Sequence, residues 1–323
     1  MPNSGWIVVP AYNEAFGLEK FAQSLLKELD PFGSDNDIHF TILFVNDGSA
    51  DNTQQIIENI CTNFRTAVIS CEFLCLLRNF GHQAALKAGL RKASADADFA
   101  ITMDADGEHP PKFILAMVEK WKQGAKIVHT LRLPNDSLGR IKVASSRWYY
   151  IFLKSLSGID IEPGMADFKL WDGELLRQVA SFLPFCGSLR SFASWLMPGA
   201  PRLPYEQNIV AGRTSRFTMR KMLSLALGGI VRYSDAPLRL AGLVGIFALG
   251  FATVLTVFSV IAFINAKTIP GWTSIIIAIA IFGGLQSLAI GILGEYLLRN
   301  WFRHSLPSYV IKKSSSPIYI EKP

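Results

Sequence analysis

The chain contains few cysteines, four in 323 residues. Cys61, Cys71, Cys75 and Cys186 show no spacing typical of a metal site, and nothing in their pattern requires disulfide bonds. Their scarcity fits a reducing compartment such as the cytoplasm. The N-terminus also lacks the features of a signal peptide, because the apolar run at residues 6–9 is short and has no basic lead. We therefore expect no cleaved leader.

Charged residues are absent from two neighbouring runs, residues 240–266 and 268–294. Each run is longer than the roughly 20 apolar residues that a helix needs to cross a bilayer. A buried core helix is the alternative for either run alone, but two such runs side by side favour a pair of spans. This absence of charge therefore predicts two membrane-spanning helices joined by a short connection around Lys267.

The net charge of +6 is compatible with binding to nucleic acid or to an anionic membrane surface. Basic residues flank the two uncharged runs, whereas the connection between the runs contains only Lys267. By the positive-inside rule, both flanks are cytoplasmic and the connection lies outside. We therefore expect a membrane partner, no nucleic acid, and a cytoplasmic catalytic part. The flanking residues are Arg220, Lys221, Arg232, Arg239, Arg299, Arg303, Lys312 and Lys313.

Asp104-Ala-Asp106 follows an apolar run at residues 99–103, and a turn comes next at Pro110-Pro111. A buried strand that stops at two carboxylates and then turns sharply can present oxygen ligands to a cation. Mg²⁺ and Mn²⁺ prefer such ligands and are often held by one or two carboxylates together with substrate phosphates. For Asp-x-Asp in isolation, a solvated turn at the end of a strand is the alternative.

Strand, polar turn and helix follow one another at least three times along the first part of the chain. This order predicts an α/β domain with a mostly parallel sheet, in which ligands bind beyond the carboxyl ends of the strands. The expected strands are residues 6–9, 40–45, 73–77, 99–103 and 125–131, and the expected helices are 18–29, 54–64, 83–92 and 112–123. The polar residues at the strand ends are Asn13, Glu14, Asp47, Arg78, Asp104 and Asp106.

The remaining segments are less regular. Residues 216–233 alternate basic and apolar side chains, which predicts a helix in the membrane interface, with a core helix as the alternative. We expect loops at residues 30–37 and 135–139, helices at 140–157 and 172–183, an irregular segment at 198–213, and short strands at 308–311 and 317–320.

Six motifs resemble, in order, those of the family 2 polyprenyl-phosphate glycosyltransferases, which include dolichyl-phosphate mannose synthases and bacterial undecaprenyl-phosphate glucosyltransferases. They are VPAYNE at 9–14, VNDGS at 45–49, RNFGHQ at 78–83, MDAD at 103–106 with the following Pro pair, ADF at 166–168 and GEYL at 294–297. The resemblance implies an α/β GT-A (Rossmann-like) nucleotide-sugar domain at residues 1–212. It also implies juxtamembrane amphipathic helices at 213–238, two transmembrane helices at 239–298 and a cytoplasmic tail at 299–323.

The resemblance further implies transfer of one sugar from a nucleotide-diphosphate sugar to a polyprenyl phosphate, with inversion at the anomeric carbon. UDP-glucose and undecaprenyl phosphate are the favoured substrates, with GDP-mannose as the next donor. The expected location is a bacterial inner membrane, and the expected assembly is a homo-oligomer, a tetramer by resemblance. A processive polysaccharide synthase is one alternative, but its Gln-x-x-Arg-Trp element is absent here. An inactive membrane scaffold is another, opposed by the intact Asp104, Asp106 and Asp167.

The family's donor-side roles carry over to matching residues. By resemblance, Pro10, Tyr12, Glu14 and Asp47 would hold the base and ribose of the nucleotide. Asp104 and Asp106 would bind the donor diphosphate and its Mg²⁺ or Mn²⁺. Family members usually have Gln where this chain has Glu108, a carboxylate that could also ligate the cation.

The acceptor-side roles carry over in the same way. Asp167 would be the base that activates the acceptor phosphate, with a helix-capping or ion-paired Asp as the alternative. Arg132 and Arg140 would clamp a phosphate through their forked donors, with solvated loop charges as the alternative. The segment at 211–217 is one residue longer than its family counterpart, and Ile209 stands where the family often has Arg. Arg213 and Arg216 are therefore both candidates for the donor or acceptor phosphates.

Overall fold

The computed structural model describes residues 2–133, 164–206 and 308–316, together with scattered positions between 250 and 297. Several expectations lie outside the described residues. They are Arg140, Arg213 and Arg216, the helices at 140–157 and 216–233, the strand at 317–320, and most of the two uncharged runs. Within the described part, no helix combines the length and the apolar character needed to cross a bilayer.

Eight strands of the described chain form a single sheet. They are Asn3–Ala11 (β1), Ile38–Asn46 (β2), Ile69–Leu76 (β3), Phe99–Thr102 (β4), Ile127–Arg132 (β5), Met165–Asp172 (β6), Arg202–Tyr205 (β7) and Ile311–Ser314 (β8). Their order in the sheet is β7-β5-β6-β4-β1-β2-β3-β8. Four neighbouring pairs are parallel, namely β1 with β2, β1 with β4, β2 with β3, and β5 with β7. The pairs β4–β6, β5–β6 and β3–β8 are antiparallel, so the sheet is mixed.

Helices cover both faces of this sheet, which explains why its central strands are apolar on both sides. The helices of the described chain are Leu18–Asn36 (α1), Thr53–Asn63 (α2), His82–Ala93 (α3), Lys112–Lys122 (α4), Gly173–Val179 (α5) and Leu189–Leu196 (α6). In β1, Ile7 and Val9 join the core on the side of α1, α2 and α4, whereas Trp6 and Val8 join the core on the side of α3, α5 and α6. The predicted α/β class is therefore confirmed.

The prediction of a loop at residues 30–37 is wrong, because α1 continues to Asn36 with Pro31 inside it. Packing outweighs the helix-breaking tendency of proline here. Gly33 is buried in this last part of the helix, and Phe32 packs 6.5 Å from Phe40 on β2, measured between ring centroids. Asp37 caps the C-terminus of the helix, because its left-handed backbone directs its N–H to the carbonyl of Gly33.

Three further expectations differ from the structure. The helix expected at residues 172–183 ends at Val179, the irregular segment at 198–213 contains β7, and the strand expected at 308–311 is found at Ile311–Ser314. Both short strands owe their conformation to a partner strand. β7 pairs with β5, and β8 pairs with β3. Such partners are distant in sequence, so local propensity gives little sign of them.

Gly48 permits the loop after β2 to lie against the loop after β3. Its φ of +66° is in the left-handed region, and a Cβ atom built on it would lie 2.4 Å from the backbone carbon of Arg78. Real Cβ atoms do not approach backbone so closely, so a larger residue would force the two loops apart.

We predict that Gly48→Ala lowers the melting temperature more than Gly124→Ala does. Gly124 also has a positive φ, +97°, but a Cβ there meets no atom within 4 Å. In both variants, alanine at a positive φ costs about 1–3 kcal/mol of backbone strain. Only Gly48→Ala also brings a Cβ atom into contact with the backbone of Arg78. Thermal unfolding of the two variants beside the wild type measures the difference, and equal losses would contradict the proposed close approach.

Candidate functional site

The carboxyl ends of β1, β2 and β4 border a cleft of about 380 Å³. Because parallel neighbours end at the same edge of a sheet, the loops that follow these strands meet there. Six residues that the sequence assigned to the donor or the metal line this one cleft, namely Pro10, Tyr12, Glu14, Asp47, Asp104 and Asp106. Asn79, Gly81 and His82, from the loop after β3 and the start of α3, line it as well.

Hydrogen bonds join the loop after β1 to the loop after β2. The backbone N–H of Asn13 donates to Ser49 Oγ at 3.0 Å, and Asn13 Oδ1 accepts from the backbone N–H of Ala50 at 3.0 Å. The backbone N–H of Glu14 donates to Thr53 Oγ1, also at 3.0 Å. Asn13 has a φ of 55°, a left-handed conformation that asparagine tolerates better than most residues. These bonds fix the backbone that presents Tyr12 and Glu14.

Asp47 is buried, and its two carboxylate oxygens accept hydrogen bonds from the loop after β3. Oδ1 accepts from the backbone N–H of Phe80 at 2.8 Å, and Oδ2 accepts from the backbone N–H of Gly81 at 2.9 Å. Burial raises the pKa of Asp47, and these two N–H donors oppose that rise by stabilising the charged form. Asp47 therefore joins the loop after β2 to the loop after β3.

His109 supports the turn after β4, a role that sequence reasoning missed. It is buried, its ring stacks on Phe168 at a centroid distance of 4.8 Å, and its Nδ1 accepts the backbone N–H of Asp104 at 3.2 Å. Burial lowers the pKa of His109 to about 4. The ring is therefore neutral near pH 7. The accepting Nδ1 assigns the proton to Nε2.

Acidic side chains concentrate around Asp104. Burial raises the pKa of Asp104 to about 6, repulsion from Asp106, Asp167 and Glu108 adds to the rise, and the nearby His82 opposes it. His82 Nε2 lies 3.4 Å from Asp104 Oδ1. Within the residues that the structure describes, no three His, Cys, Asp or Glu side chains form a ready-made metal cluster. The pair Asp104 and Asp106 still offers the hard oxygen ligands of a cation site that is completed by substrate phosphates.

Glu108 and Arg132, which the sequence assigned to the metal and to a phosphate, form an ion pair with each other. Arg132 Nη2 lies 3.1 Å from Glu108 Oε2, and both side chains are partly exposed. Glu108 also donates its backbone N–H to Asp106 Oδ1 at 3.0 Å. The pair links the turn after β4 to the end of β5.

Asp167 lies in β6, so it caps no helix, and its carboxylate contacts side chains from two helices, α3 and α6. Oδ2 accepts from Gln83 Nε2 at 2.9 Å and from Arg190 Nη2 at 3.3 Å, an ion pair, and it lies 4.0 Å from His82 Nε2. Burial would raise the pKa of Asp167, but the positive charges of Arg190 and Lys169 help to hold it below its usual value. The carboxylate is therefore charged near pH 7.

Gln83, Arg190 and Lys169 received no role from the sequence. Lys169 is fully buried, and its Nζ lies 2.9 Å from Nδ1 of His129 on the neighbouring strand β5. Burial lowers the pKa of Lys169 to about 7. The sequence did contain a signal for Lys169, namely a lysine inside an apolar strand. Such a lysine is rarely buried unless it has a partner.

With this geometry in place, comparison with known proteins identifies the class. The sequence profile of glycosyl transferase family 2 matches residues 6–169. The chain belongs to this family and is a glycosyltransferase with a GT-A-like α/β domain.

Several relatives match almost the whole chain, among them the following two. An uncharacterised glycosyltransferase of Bacillus subtilis (strain 168) is 31% identical over 95% of this chain and 93% of its own. The SfII prophage-derived bactoprenol glucosyl transferase of Shigella flexneri is 30% identical over 95% of this chain and 97% of its own. Among solved structures, mannosyl-3-phosphoglycerate synthase from Rubrobacter xylanophilus has a TM-score of 0.47 at 14% identity, covering 75% of each chain.

We predict that Asp47→Asn destabilises the protein by about 1–3 kcal/mol, the cost of leaving a buried polar group unpaired. The asparagine oxygen can accept one of the two backbone N–H groups, but its NH₂ would face the other donor. Urea unfolding measures the loss, and Asp35→Asn, at an exposed position of α1, serves as the matched control. If the two variants were equally stable, Asp47 would not be holding the loops.

Proposed function

We propose that this glycosyltransferase transfers a single sugar from a nucleotide-diphosphate sugar to a polyprenyl phosphate at the cytoplasmic face of a membrane. The observation that carries the proposal is the arrangement of one cleft. Donor-side candidates from three strand ends line it, and Asp167 is connected to it through His82, which lies 3.4 Å from Asp104 and 4.0 Å from Asp167. Donor and acceptor groups would thus meet at adjoining positions.

On the donor side, the nucleotide would lie along Pro10, Tyr12, Glu14 and Asp47. Tyr12 is 46% exposed and has an aromatic face available to a base. We favour UDP-glucose as the donor, with GDP-mannose next. The name of the Shigella flexneri relative, a bactoprenol glucosyl transferase, supports glucose and a bactoprenol-type acceptor such as undecaprenyl phosphate.

Asp104 and Asp106 fit a divalent cation, Mg²⁺ or Mn²⁺, because together they offer hard carboxylate oxygens at the end of one strand. Burial raises the pKa of Asp104, repulsion from Asp106 adds to the rise, and a bound cation would favour the charged form. When bound, such a cation offsets the negative charge that develops on the departing diphosphate. Glu108 is a third candidate ligand, although its ion pair with Arg132 would compete with the metal. Arg132 would then stand close to the donor phosphates.

In the proposed reaction, an oxygen of the acceptor phosphate attacks the anomeric carbon of the sugar. The new bond joins that oxygen to the carbon, and the bond between the carbon and the diphosphate oxygen breaks. The nucleoside diphosphate leaves with the electron pair. Asp167, which is charged near pH 7, would orient the acceptor phosphate and accept its proton where one is present. We propose inversion at the anomeric carbon, as the resemblance to the family 2 polyprenyl-phosphate glycosyltransferases implies.

We also propose that the chain is held in the membrane by the two uncharged runs, with residues 213–238 at the interface and both flanks in the cytoplasm. The uncharged length and the basic flanks support this arrangement. A bacterial inner membrane is the favoured location, and a homo-oligomer is the favoured assembly.

A panel of nucleotide sugars, assayed with purified full-length protein and a short-chain polyprenyl phosphate, tests the proposal. We expect one donor to give a polyprenyl-phosphate sugar. We expect Asp167→Asn to reduce its formation by roughly 10²-fold while donor binding remains near wild type. The variant loses the charge partner of Arg190, so its melting temperature should fall, but not enough to unfold it at the assay temperature. Transfer to a different acceptor class, or no transfer with any donor, would overturn the proposed function. A loss in Asp167→Asn that matches its unfolded fraction would remove Asp167 from the mechanism.

Asp106→Asn should cost about 2 kcal/mol or more of transition-state stabilisation, the scale of losing one charge-stabilising group. Steady-state kinetics at several Mg²⁺ and Mn²⁺ concentrations measure this loss. Asp96→Asn, at an exposed position before β4, is the matched control and should behave as wild type. Turnover that survives EDTA, or near-normal turnover of Asp106→Asn, would contradict the metal role.

Reporter fusions test the membrane arrangement. We expect a fusion at the C-terminus to report the cytoplasm and a fusion inserted near Pro270, in the connection between the two runs, to report the opposite side. A signal from outside the cytoplasm at the C-terminus would mean that only one of the runs crosses.

A further inference from the structure

Gln83 lies at the meeting point of three elements. It belongs to the first turn of α3, its Nε2 donates to Oδ2 of Asp167 on β6 at 2.9 Å, and its Oε1 accepts the backbone N–H of Leu189 at the start of α6, also at 2.9 Å. Because a backbone N–H can only donate, Oε1 must face Leu189 and the NH₂ group must face the carboxylate. The orientation of the amide is therefore fixed by its two partners.

Arg190 binds the same oxygen of Asp167. Its Nη2 lies 3.3 Å from Oδ2. Arg190 follows Leu189 directly, so the start of α6 supplies both a cation and the backbone N–H that holds Gln83. The second oxygen, Oδ1, is buried and has no hydrogen-bond partner among the described residues. A buried carboxylate oxygen without a partner is costly, and such atoms in native structures have a functional reason or an absent partner.

We propose that Gln83 and Arg190 are positioning residues that hold Asp167 by Oδ2 and leave Oδ1 to meet the acceptor phosphate. This inference rests on the proposed function. Arg190 supplies the positive charge that favours the ionised form of Asp167, and Gln83 fixes the orientation of its carboxylate. A neutral amide suits the second role because it donates a hydrogen bond without competing for the proton that Asp167 would accept.

The other charged groups around Asp167 do not replace this pair. Lys169 is on the same strand and lies against His129, His82 approaches from the first residue of α3, and Asp104 approaches from the end of β4 with the same sign of charge. Of the groups that contact Oδ2, Gln83 makes the shortest contact. Removing it should let the carboxylate rotate, and misplacement by about 1 Å can cost up to roughly 10²-fold in rate.

Gln83→Met tests the proposal in the full-length enzyme, because methionine has a similar length and neither of the two hydrogen bonds. We expect kcat for transfer to a short-chain polyprenyl phosphate to fall by about 10-fold or more, with KM for the donor within about 2-fold of wild type. Gln83→Glu keeps the acceptor for Leu189 but sets a carboxylate against Asp167, so its kcat should fall further. Gln55→Glu, on the exposed face of α2, is the matched control and should retain wild-type kinetics.

A double variant separates positioning from folding. Gln83→Glu combined with Asp167→Asn exchanges the amide and the carboxylate, so the hydrogen bond between the two positions can form again. We expect its melting temperature to recover relative to Gln83→Glu alone, while turnover stays no higher than that of Asp167→Asn.

Three results would overturn the inference. The first is wild-type kcat in Gln83→Met, and the second is a loss of kcat that matches the unfolded fraction of that variant. Either result with an active wild type removes Gln83 from the mechanism and leaves the proposed function intact. The third is a wild-type enzyme that transfers to no polyprenyl phosphate, which removes the proposed function and the acceptor role of Oδ1 together.

Discussion

One buried carboxylate joins the loops around the cleft. Asp47 accepts the backbone N–H groups of Phe80 and Gly81, and Gly48 beside it lets the two loops come together. The start of α3 follows Gly81, so the positions of His82 and Gln83 depend on this contact. Those two residues reach Asp104 and Asp167 in turn. The donor-side and acceptor-side groups are therefore linked through residues 78–83, which form the end of the loop after β3 and the start of α3.

The strand ends that border the cleft could be predicted because their sequence signals are local. Apolar runs that stop at polar turns mark strand ends, and parallel strands bring those ends to one edge of the sheet. Glu14, Asp47, Asp104 and Asp106 could therefore be grouped without knowing how the strands are ordered, whereas Pro10 and Tyr12 came from the family resemblance. The α/β class followed from the same alternation of strand and helix, and the family followed from the motifs at those turns.

The rest depends on contacts between distant parts of the chain. Gln83 and Asp167 are 84 positions apart, and the partner of Gln83 at Leu189 is 106 positions away. No periodic pattern shows that an amide on one helix will meet a carboxylate on a strand. The mixed character of the sheet was missed for the same reason, since β6 pairs antiparallel with two strands that precede it. Likewise, the last two turns of α1 are stabilised by packing against β2, which outweighs the local effect of Pro31.

The last of the described strands has a consequence for biosynthesis. β8 pairs with β3, and Ser315 bonds to Phe73 across a separation of 242 residues. Because translation adds about 5–20 residues per second, the outer edge of β3 remains unpaired for roughly 10–50 s before β8 has been synthesised. In that interval the ribosome also makes both uncharged runs. Because unpaired strand edges promote association between chains, the nascent protein passes through a period in which the edge of β3 can pair with another chain. That period ends only when β8 has emerged from the ribosome.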